Sequence, residues 1–144
     1  MTQTCQIHGS AVALDNRALV ILGAAGSGKS TLALEMVALG ASLVSDDRID
    51  LLRKDDALLA SAPENIAGLI EARGIGLIRM PHQSGVPVAW VVDLDKIETE
   101  RLPTSRTTHL LDVPCPVILG KGRAGLAAIL CNLVRFGRCE IDYR

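Results

Sequence analysis

Residues 23–30 carry the clearest chemical signal in this sequence, Gly-Ala-Ala-Gly-Ser-Gly-Lys-Ser. They match the pattern G-x-x-x-x-G-K-[ST] of phosphate-binding P-loops, and they lie between an apolar run and a helical pattern, as that motif requires. The glycines allow a tight turn that points backbone N–H groups at phosphate oxygens, and the start of the helix adds its positive dipole end. Lys29 would reach the β- and γ-phosphates of a nucleoside triphosphate, and the Ser30 hydroxyl would help coordinate Mg²⁺. The predicted nucleotide-binding residues are Gly23, Ala24, Ala25, Gly26, Ser27, Gly28, Lys29, Ser30 and Thr31.

Two adjacent carboxylates, Asp46 and Asp47, form the second candidate group. They follow a short apolar segment, residues 41–45, which predicts a buried strand. In P-loop enzymes, a strand parallel to the P-loop strand ends in an acidic residue that holds Mg²⁺. One carboxylate would serve the metal while the other accepts a proton from an attacking hydroxyl. The alternative is a solvated pair that opens a loop.

Three further residues leave alternatives open. His8 precedes Gly9 in a predicted strand, and a lone histidine is more often structural than functional. Glu71 and Arg73 are predicted to share one face of an extended segment before a Gly-x-Gly. They would be either a surface ion pair of little consequence or a metal ligand and a phosphate contact.

Two cationic segments follow later in the chain. The first, residues 95–108, contains Lys96, Arg101 and Arg106 and is typical of an exposed mobile loop, although a P-loop enzyme also needs cations or a lid near the phosphoryl group. The second is a glycine-rich turn with Lys121 and Arg123. The sequence does not decide which of the two contacts phosphate.

The elements that must position these groups alternate between hairpins and helices. A hairpin, with strands in residues 4–14 and 17–22, is predicted to precede the P-loop, and a helix over 29–39 to follow it. Further strands are expected at 41–45, 49–53, 58–61, 74–79 and 86–94, with a helical turn at 64–69, an extended crossing at Pro114 and Pro116, and a helix at 124–135. The predicted fold class is α/β, with a mixed sheet flanked by helices.

Bulk composition limits the classes of function. The 144 residues are predicted to form a single domain, and 49% hydrophobic content supports a sizeable core. A net charge of −1 favours neither nucleic acid nor an anionic membrane as a partner. The N-terminus lacks the parts of a signal peptide, and no apolar stretch has the length of a membrane span, so we expect a soluble cytoplasmic protein. The scattered cysteines predict free thiols.

Taken together, several segments give the chain a more specific resemblance. Its sequence resembles the catalytic (C-terminal) domain of HPr kinase/phosphorylase, in a short form that lacks the N-terminal domain. The matching segments are residues 7–9 (Ile-His-Gly), the P-loop, 43–47 (Leu-Val-Ser-Asp-Asp), 70–76 (Ile-Glu-Ala-Arg-Gly-Ile-Gly), 100–102 (Glu-Arg-Leu) and 122–123 (Gly-Arg).

The resemblance implies a fold near that of phosphoenolpyruvate carboxykinase. It also implies ATP- and Mg²⁺-dependent phosphorylation of a seryl hydroxyl on the phosphocarrier protein HPr, with reversal by inorganic phosphate. Asp47 would be the base for that hydroxyl, and Asp46 would lie beside it with His8 as its expected neighbour. Arg101 would join these residues as catalytic, and Glu71 would hold Mg²⁺ with Ser30 and Asp46. Long members form hexamers, which leaves open whether this chain forms a homo-oligomer.

Two other functions remain open at this stage. A kinase of a small hydroxyl-bearing metabolite would use the same positioning chemistry. A regulator would bind nucleotide at the P-loop without efficient transfer of a phosphoryl group to any acceptor.

Overall fold

A computed structural model of the chain describes residues 2–139 and has two helices and eleven strands in this range. The helices are α1 (Lys29–Ala38) and α2 (Leu126–Phe136). The strands are β1 (Thr2–His8), β2 (Ser10–Leu14), β3 (Arg17–Leu22), β4 (Ser42–Ser45), β5 (Arg48–Lys54), β6 (Ala57–Ser61), β7 (Leu69–Ala72), β8 (Gly76–Arg79), β9 (Val86–Asp93), β10 (Thr107–Leu110) and β11 (Val113–Leu119). No helix in this range is long and apolar enough to cross a membrane.

The main sheet contains nine strands and is mixed, as predicted. Seven of them follow the order β1-β5-β6-β9-β3-β2-β4, while β11 pairs with β9 and β10 pairs with β11. Strands β3, β9 and β11 are parallel, whereas β2 runs antiparallel to both β3 and β4. Because β3, β4, β9 and β11 therefore point the same way, their carboxyl ends lie at one edge of the sheet. The loops that follow these four strands meet at that edge.

Most predicted elements form close to their predicted bounds. The turn at Asp15 and Asn16 joins β2 to β3, with both residues in the left-handed conformation that a tight hairpin turn requires. Gly40, at φ 108°, follows α1 and allows the chain to reverse there. Cys5, Cys115 and Cys131 are free thiols, as predicted.

Three local predictions were confirmed only in part. The strand predicted at 74–79 is the second half of a separate hairpin, β7–β8, and the predicted helical turn at 64–69 is a single 3₁₀ turn at Glu64–Ile66. The third is the segment with Pro114 and Pro116, which forms strand β11 and pairs with an unpredicted strand, β10. The Val117 N–H donates to the Arg106 carbonyl at 3.0 Å, so the backbone nitrogens of residues 114 and 116 face the opposite edge of β11. Strand β9 pairs with that edge only from residue 117 onward, so the N–H groups that the two prolines lack are not needed for pairing.

Two hydrophobic cores lie on opposite faces of the sheet. Helices α1 and α2 pack together on one face, where Met36 and Leu130 are fully buried over Leu19 and Ile21 of β3. The other core lies where β5 and β6 curl over the sheet, and Val20 of β3 contributes to it. Strand β3 is thus buried from both faces, which explains why its sequence is a continuous apolar run.

The loop after β9 is closed by an ion pair. Both Arg106 Nε and Nη2 donate to the Glu98 carboxylate at 2.7 Å, and the Glu100 N–H donates to Glu98 Oε2 at 3.1 Å. Bidentate pairs of this kind fix geometry as well as charge. The segment from 98 to 106, which includes Arg101, is therefore held at both ends.

The packing of α2 gives a first prediction. Leu130 is fully buried, while its neighbour Ile129 is 49% exposed on the same helix. Replacing Leu130 by Ala leaves a cavity between the helices, so we expect Leu130→Ala to lower the free energy of unfolding by about 2–5 kcal/mol. We expect Ile129→Ala to cost less than about 1 kcal/mol. Urea denaturation monitored by circular dichroism measures both changes, and equal losses of unfolding free energy in the two variants would contradict this packing.

The ion pair gives a second prediction. The hydrogen bonds from Arg106 lower the pKa of Glu98 from 4.5 to about 2. Since folding lowers this pKa, the pair stabilises the fold at neutral pH, and that contribution is lost as the pH falls from about 4.5 toward 2. An NMR titration should show Glu98 ionising with a midpoint near the lower value, and Arg106→Gln should raise it toward the ordinary value. Lys96→Gln, in the same loop, should leave it unchanged.

Candidate active site

The glycine loop, residues 23–30, turns tightly between β3 and α1. Gly26 and Gly28 have positive φ angles of 82° and 99°, which residues with a side chain rarely adopt. The Ser27 N–H donates to the Ala24 carbonyl at 3.0 Å and closes the turn. Helix α1 begins directly after Gly28, and no side chain among residues 2–139 caps it. Its first N–H groups are therefore available to an anion.

Contacts within the protein hold this loop in shape. A Cβ atom at Gly23 would overlap the Ser27 Oγ, so the first glycine is required by close approach. The Lys29 Nζ donates to the carbonyls of Gly23 (2.8 Å) and Ala24 (3.0 Å). On the other side, the Asp95 carboxylate accepts the Ala24 N–H, with both oxygens at 3.0 Å.

Asp46 joins the glycine loop to the sheet. Asp46 is only 7% exposed, and its Oδ1 accepts hydrogen bonds from the hydroxyls of Ser10 (2.7 Å) and Ser30 (2.8 Å). Ser10 is fully buried on β2, and Ser30 lies in the first turn of α1. Hydroxyl donors compensate the loss of water around a buried carboxylate.

The carboxylate of Asp47, in contrast to that of Asp46, is exposed to solvent. Asp47 has a φ of 67°, and its side chain is 77% exposed, with Oδ2 3.8 Å from Arg48 Nε. Its backbone carbonyl accepts the Gly9 N–H at 3.0 Å, while the Arg48 N–H donates to the Asp46 carbonyl at 2.8 Å. The strand thus ends in a sharp turn at this pair. Asp46 is directed inward to the glycine loop, and Asp47 is left accessible from solvent.

Ser30 and Asp46 provide oxygen atoms that suit Mg²⁺. A small hard cation prefers carboxylate, hydroxyl and water oxygens, and it is commonly bound by one or two protein carboxylates with substrate phosphates. Within residues 2–139, Asp46 Oδ2 accepts no hydrogen bond, so this oxygen remains available. No group of three or more His, Cys, Asp or Glu side chains in the same range could hold a metal ion. A cation here would therefore take most of its remaining ligands from phosphate and water.

Other predicted site residues lie outside this cluster. His8 is exposed at the end of β1, opposite Arg48 of β5. In the described range no hydrogen bond joins His8 to Asp46, whose Oδ1 accepts from Ser10 and Ser30. The catalytic role of His8 stays a prediction.

Glu71 and Arg73 also differ from the predicted arrangement. Glu71 is exposed on β7, whose neighbouring residue Ile70 is buried in the core beside α1. Arg73 lies in the turn after β7, so the two side chains do not share one face of an extended strand. Among residues 2–139, no hydrogen bond or ion pair links Glu71 to Ser30 or Asp46. Arg101 is exposed in the loop closed by Glu98 and Arg106.

Sequence reasoning missed the acidic end of β9. Asp93 accepts the Asp95 N–H at 2.9 Å, and its Oδ2 lies 3.9 Å from Lys96 Nζ. Asp95 in turn contacts the glycine loop through Ala24. The argument that selected Asp46, an acidic residue at the end of a strand parallel to the loop strand, applies equally to β9, whose apolar run ends in Asp93-Leu94-Asp95.

Comparisons with known proteins agree on one family. The model of the HPr Serine kinase C-terminal domain matches residues 1–113. The HPr kinase/phosphorylase of Geobacillus thermodenitrificans is 36% identical over 112 residues, which cover 70% of this chain and 35% of that protein. The HPr kinase/phosphorylase of Xylella fastidiosa is 34% identical over 128 residues, covering 78% of this chain and 40% of that protein. The chain thus spans 35–40% of the length of these two relatives.

A solved structure extends the similarity beyond the sequence match. The Hpr(Ser) kinase/phosphatase from Coxiella burnetii superposes with a TM-score of 0.77 at 28% sequence identity, covering 91% of this chain and 94% of that one. This coverage is wider than residues 1–113, the part that the family model matches. The shared arrangement is a mixed α/β fold with a curled sheet and two helices. The chain belongs to the family of HPr serine kinase C-terminal domains.

Proposed function

We propose that this chain is an ATP- and Mg²⁺-dependent protein kinase that phosphorylates a seryl hydroxyl of the phosphocarrier protein HPr. The observation that carries the proposal is the pair of unlike carboxylates beside the glycine loop. Asp46 is buried against Ser30, while the next residue, Asp47, is exposed to an incoming hydroxyl. This arrangement provides one carboxylate for a metal and another for a proton, in a chain whose relatives are named HPr kinase/phosphorylase.

In this proposal the glycine loop is a P-loop for the triphosphate. Its N–H groups and the uncapped start of α1 would bind phosphate oxygens. Lys29, now 2.8 Å and 3.0 Å from loop carbonyls, would turn to the β- and γ-phosphates when they bind. Bound Mg²⁺ would neutralise developing charge on the phosphates. Ser30 and Asp46 would hold that ion, with Glu71 as the third proposed ligand.

Asp47 would act as the base. It would accept the proton of the seryl hydroxyl as the serine oxygen bonds to the γ-phosphorus, and the bond from that phosphorus to the bridging oxygen of ADP would break. In phosphorolysis, an oxygen of inorganic phosphate would attack the phosphorus of phosphoserine, and the bond from that phosphorus to the serine oxygen would break. Asp47 would give a proton to the serine oxygen, and pyrophosphate would form. The 77% exposure of the Asp47 side chain suits a substrate that is itself a folded protein.

The remaining assignments rest on the family. His8 would lie near the acceptor rather than bonded to Asp46, and Arg101 would supply a cation from the loop closed by Glu98 and Arg106. We further propose a core like that of phosphoenolpyruvate carboxykinase, a cytoplasmic location and a homo-oligomeric assembly.

Transfer to HPr gives a third prediction. Wild-type chain incubated with HPr, ATP and Mg²⁺ should add one phosphoryl group to a serine of HPr, as measured by intact mass and peptide mapping. Asp47→Asn should lower the transfer rate by about 10²-fold or more, while ATP binding, measured by calorimetry, is retained. Asn tolerates the left-handed conformation at this position, so the fold should persist.

A matched control is available at Asp112. It is also exposed, with a φ of 61°, but lies in the turn between β10 and β11. Asp112→Asn should transfer at the wild-type rate. Phosphorylation of a metabolite and not of HPr would contradict the proposed acceptor, and ATP binding without transfer to either would indicate a regulator. Wild-type activity in Asp47→Asn would contradict the assigned base.

A further inference from the structure

A cleft of about 520 Å³ adjoins the glycine loop on the side away from Asp46. Residues 24–28 form one wall, and the turn between β11 and α2, residues 120–125, forms the opposite wall. The strand order explains this position, because β9 and β11 lie on one side of β3 while β2 and β4 lie on the other. The glycine loop thus has an acidic acceptor side and a cleft side.

The far wall of the cleft is firmly anchored. The Gly120 N–H donates to the Asp93 carbonyl at 2.9 Å, and the Lys121 N–H donates to the Lys96 carbonyl at 3.0 Å. A Cβ at Gly120 would lie 2.8 Å from Val92 Cγ2, so this position requires glycine for close packing. The cleft is therefore bounded by two segments that both contact the end of β9.

The lining of the cleft is mixed, with more polar than apolar surface, and it includes the charged side chains of Asp95 and Arg123 as well as those named below. Leu32 of α1, Leu94 and Leu126 supply apolar surface between the two walls. Glu35 is exposed one turn further along α1, and Lys121 projects from the opposite wall. The volume lies within the range of roughly 300–1,000 Å³ that is usual for small-molecule sites, where a few polar groups fix the orientation of the ligand.

We propose that this cleft binds the nucleoside end of the triphosphate, with the base on its apolar surface and the sugar hydroxyls donating to Glu35. The inference rests on the proposed function, since it assumes a triphosphate on the glycine loop. When the γ-phosphate faces Asp47, the seryl hydroxyl occupies the side of the glycine loop next to Asp47. The nucleoside must then leave the loop on its other side, where the cleft lies. Carboxylates accept hydrogen bonds from ribose hydroxyls in dinucleotide-binding folds.

The test compares ATP with tripolyphosphate, which lacks a nucleoside. Glu35→Trp fills the cleft from an exposed helix position, and calorimetry should show ATP binding weakened by about tenfold or more, with tripolyphosphate binding changed by less than about twofold. Ala38→Trp places the same side chain on an exposed position of α1 outside the cleft. This control should bind both ligands as the wild type does.

A milder variant tests the sugar contact. Wild-type chain should bind ATP more tightly than 2′,3′-dideoxy-ATP, and Glu35→Gln should reduce that preference while leaving dideoxy-ATP binding unchanged. The proposal is overturned if Glu35→Trp binds ATP as tightly as Ala38→Trp does, if it loses ATP and tripolyphosphate equally, or if Glu35→Gln keeps the full preference. These outcomes concern binding alone, so they are distinguishable from a failure of HPr phosphorylation, in which ATP binds but no phosphoserine forms.

Discussion

One oxygen atom, Oδ1 of Asp46, connects the parts of this site. It accepts hydrogen bonds from Ser10 of β2 and Ser30 of α1, at 2.7 Å and 2.8 Å. A carboxylate that is only 7% exposed is costly to bury without such donors, so the end of β4 must lie against both elements. The glycine loop is thereby fixed to the sheet next to the turn that exposes Asp47. The unlike environments of two adjacent carboxylates follow from this one contact.

Sheet topology divides the surroundings of the glycine loop into two halves. Antiparallel β2 separates β3 from β4, so the end of β4 with Asp47 lies on one side of the loop that follows β3. On the other side, parallel β9 brings Asp95 directly onto the Ala24 N–H. A bound triphosphate would lie between these halves, with its reacting end toward Asp47 and its nucleoside toward the turn after β11. The same fold thus separates the two substrates of the proposed transfer.

Local sequence rules predicted the glycine loop, its flanking elements and the Asp46–Asp47 pair, because glycine conformations and strand ends depend on neighbouring residues. They failed where contacts are distant in sequence. Ser10 could not be foreseen as the partner of Asp46, because the chain passes at Gly9 from β1, which pairs with β5, to β2, which pairs with β3 and β4. The same change of partner strands leaves His8 opposite Arg48, without a hydrogen bond to Asp46 within residues 2–139. The cleft could not be foreseen for the same reason, since its two walls, residues 24–28 and 120–125, are far apart in sequence. Pro114 and Pro116 did not indicate a paired strand, because a strand accepts proline only where the edge that its nitrogen faces is unpaired.

The most direct test of the shared carboxylate is the effect of Mg²⁺ on ATP binding. Asp46→Asn keeps the size of the side chain and an oxygen that accepts from Ser10 and Ser30, but removes the charge that would hold the ion. Calorimetry should show that Mg²⁺ strengthens ATP binding to the wild type and not to Asp46→Asn, while both bind metal-free ATP within about twofold of each other. If Asp46→Asn retains the full Mg²⁺ effect, Asp46 does not hold the metal, and the proposed division of roles between the two carboxylates is wrong.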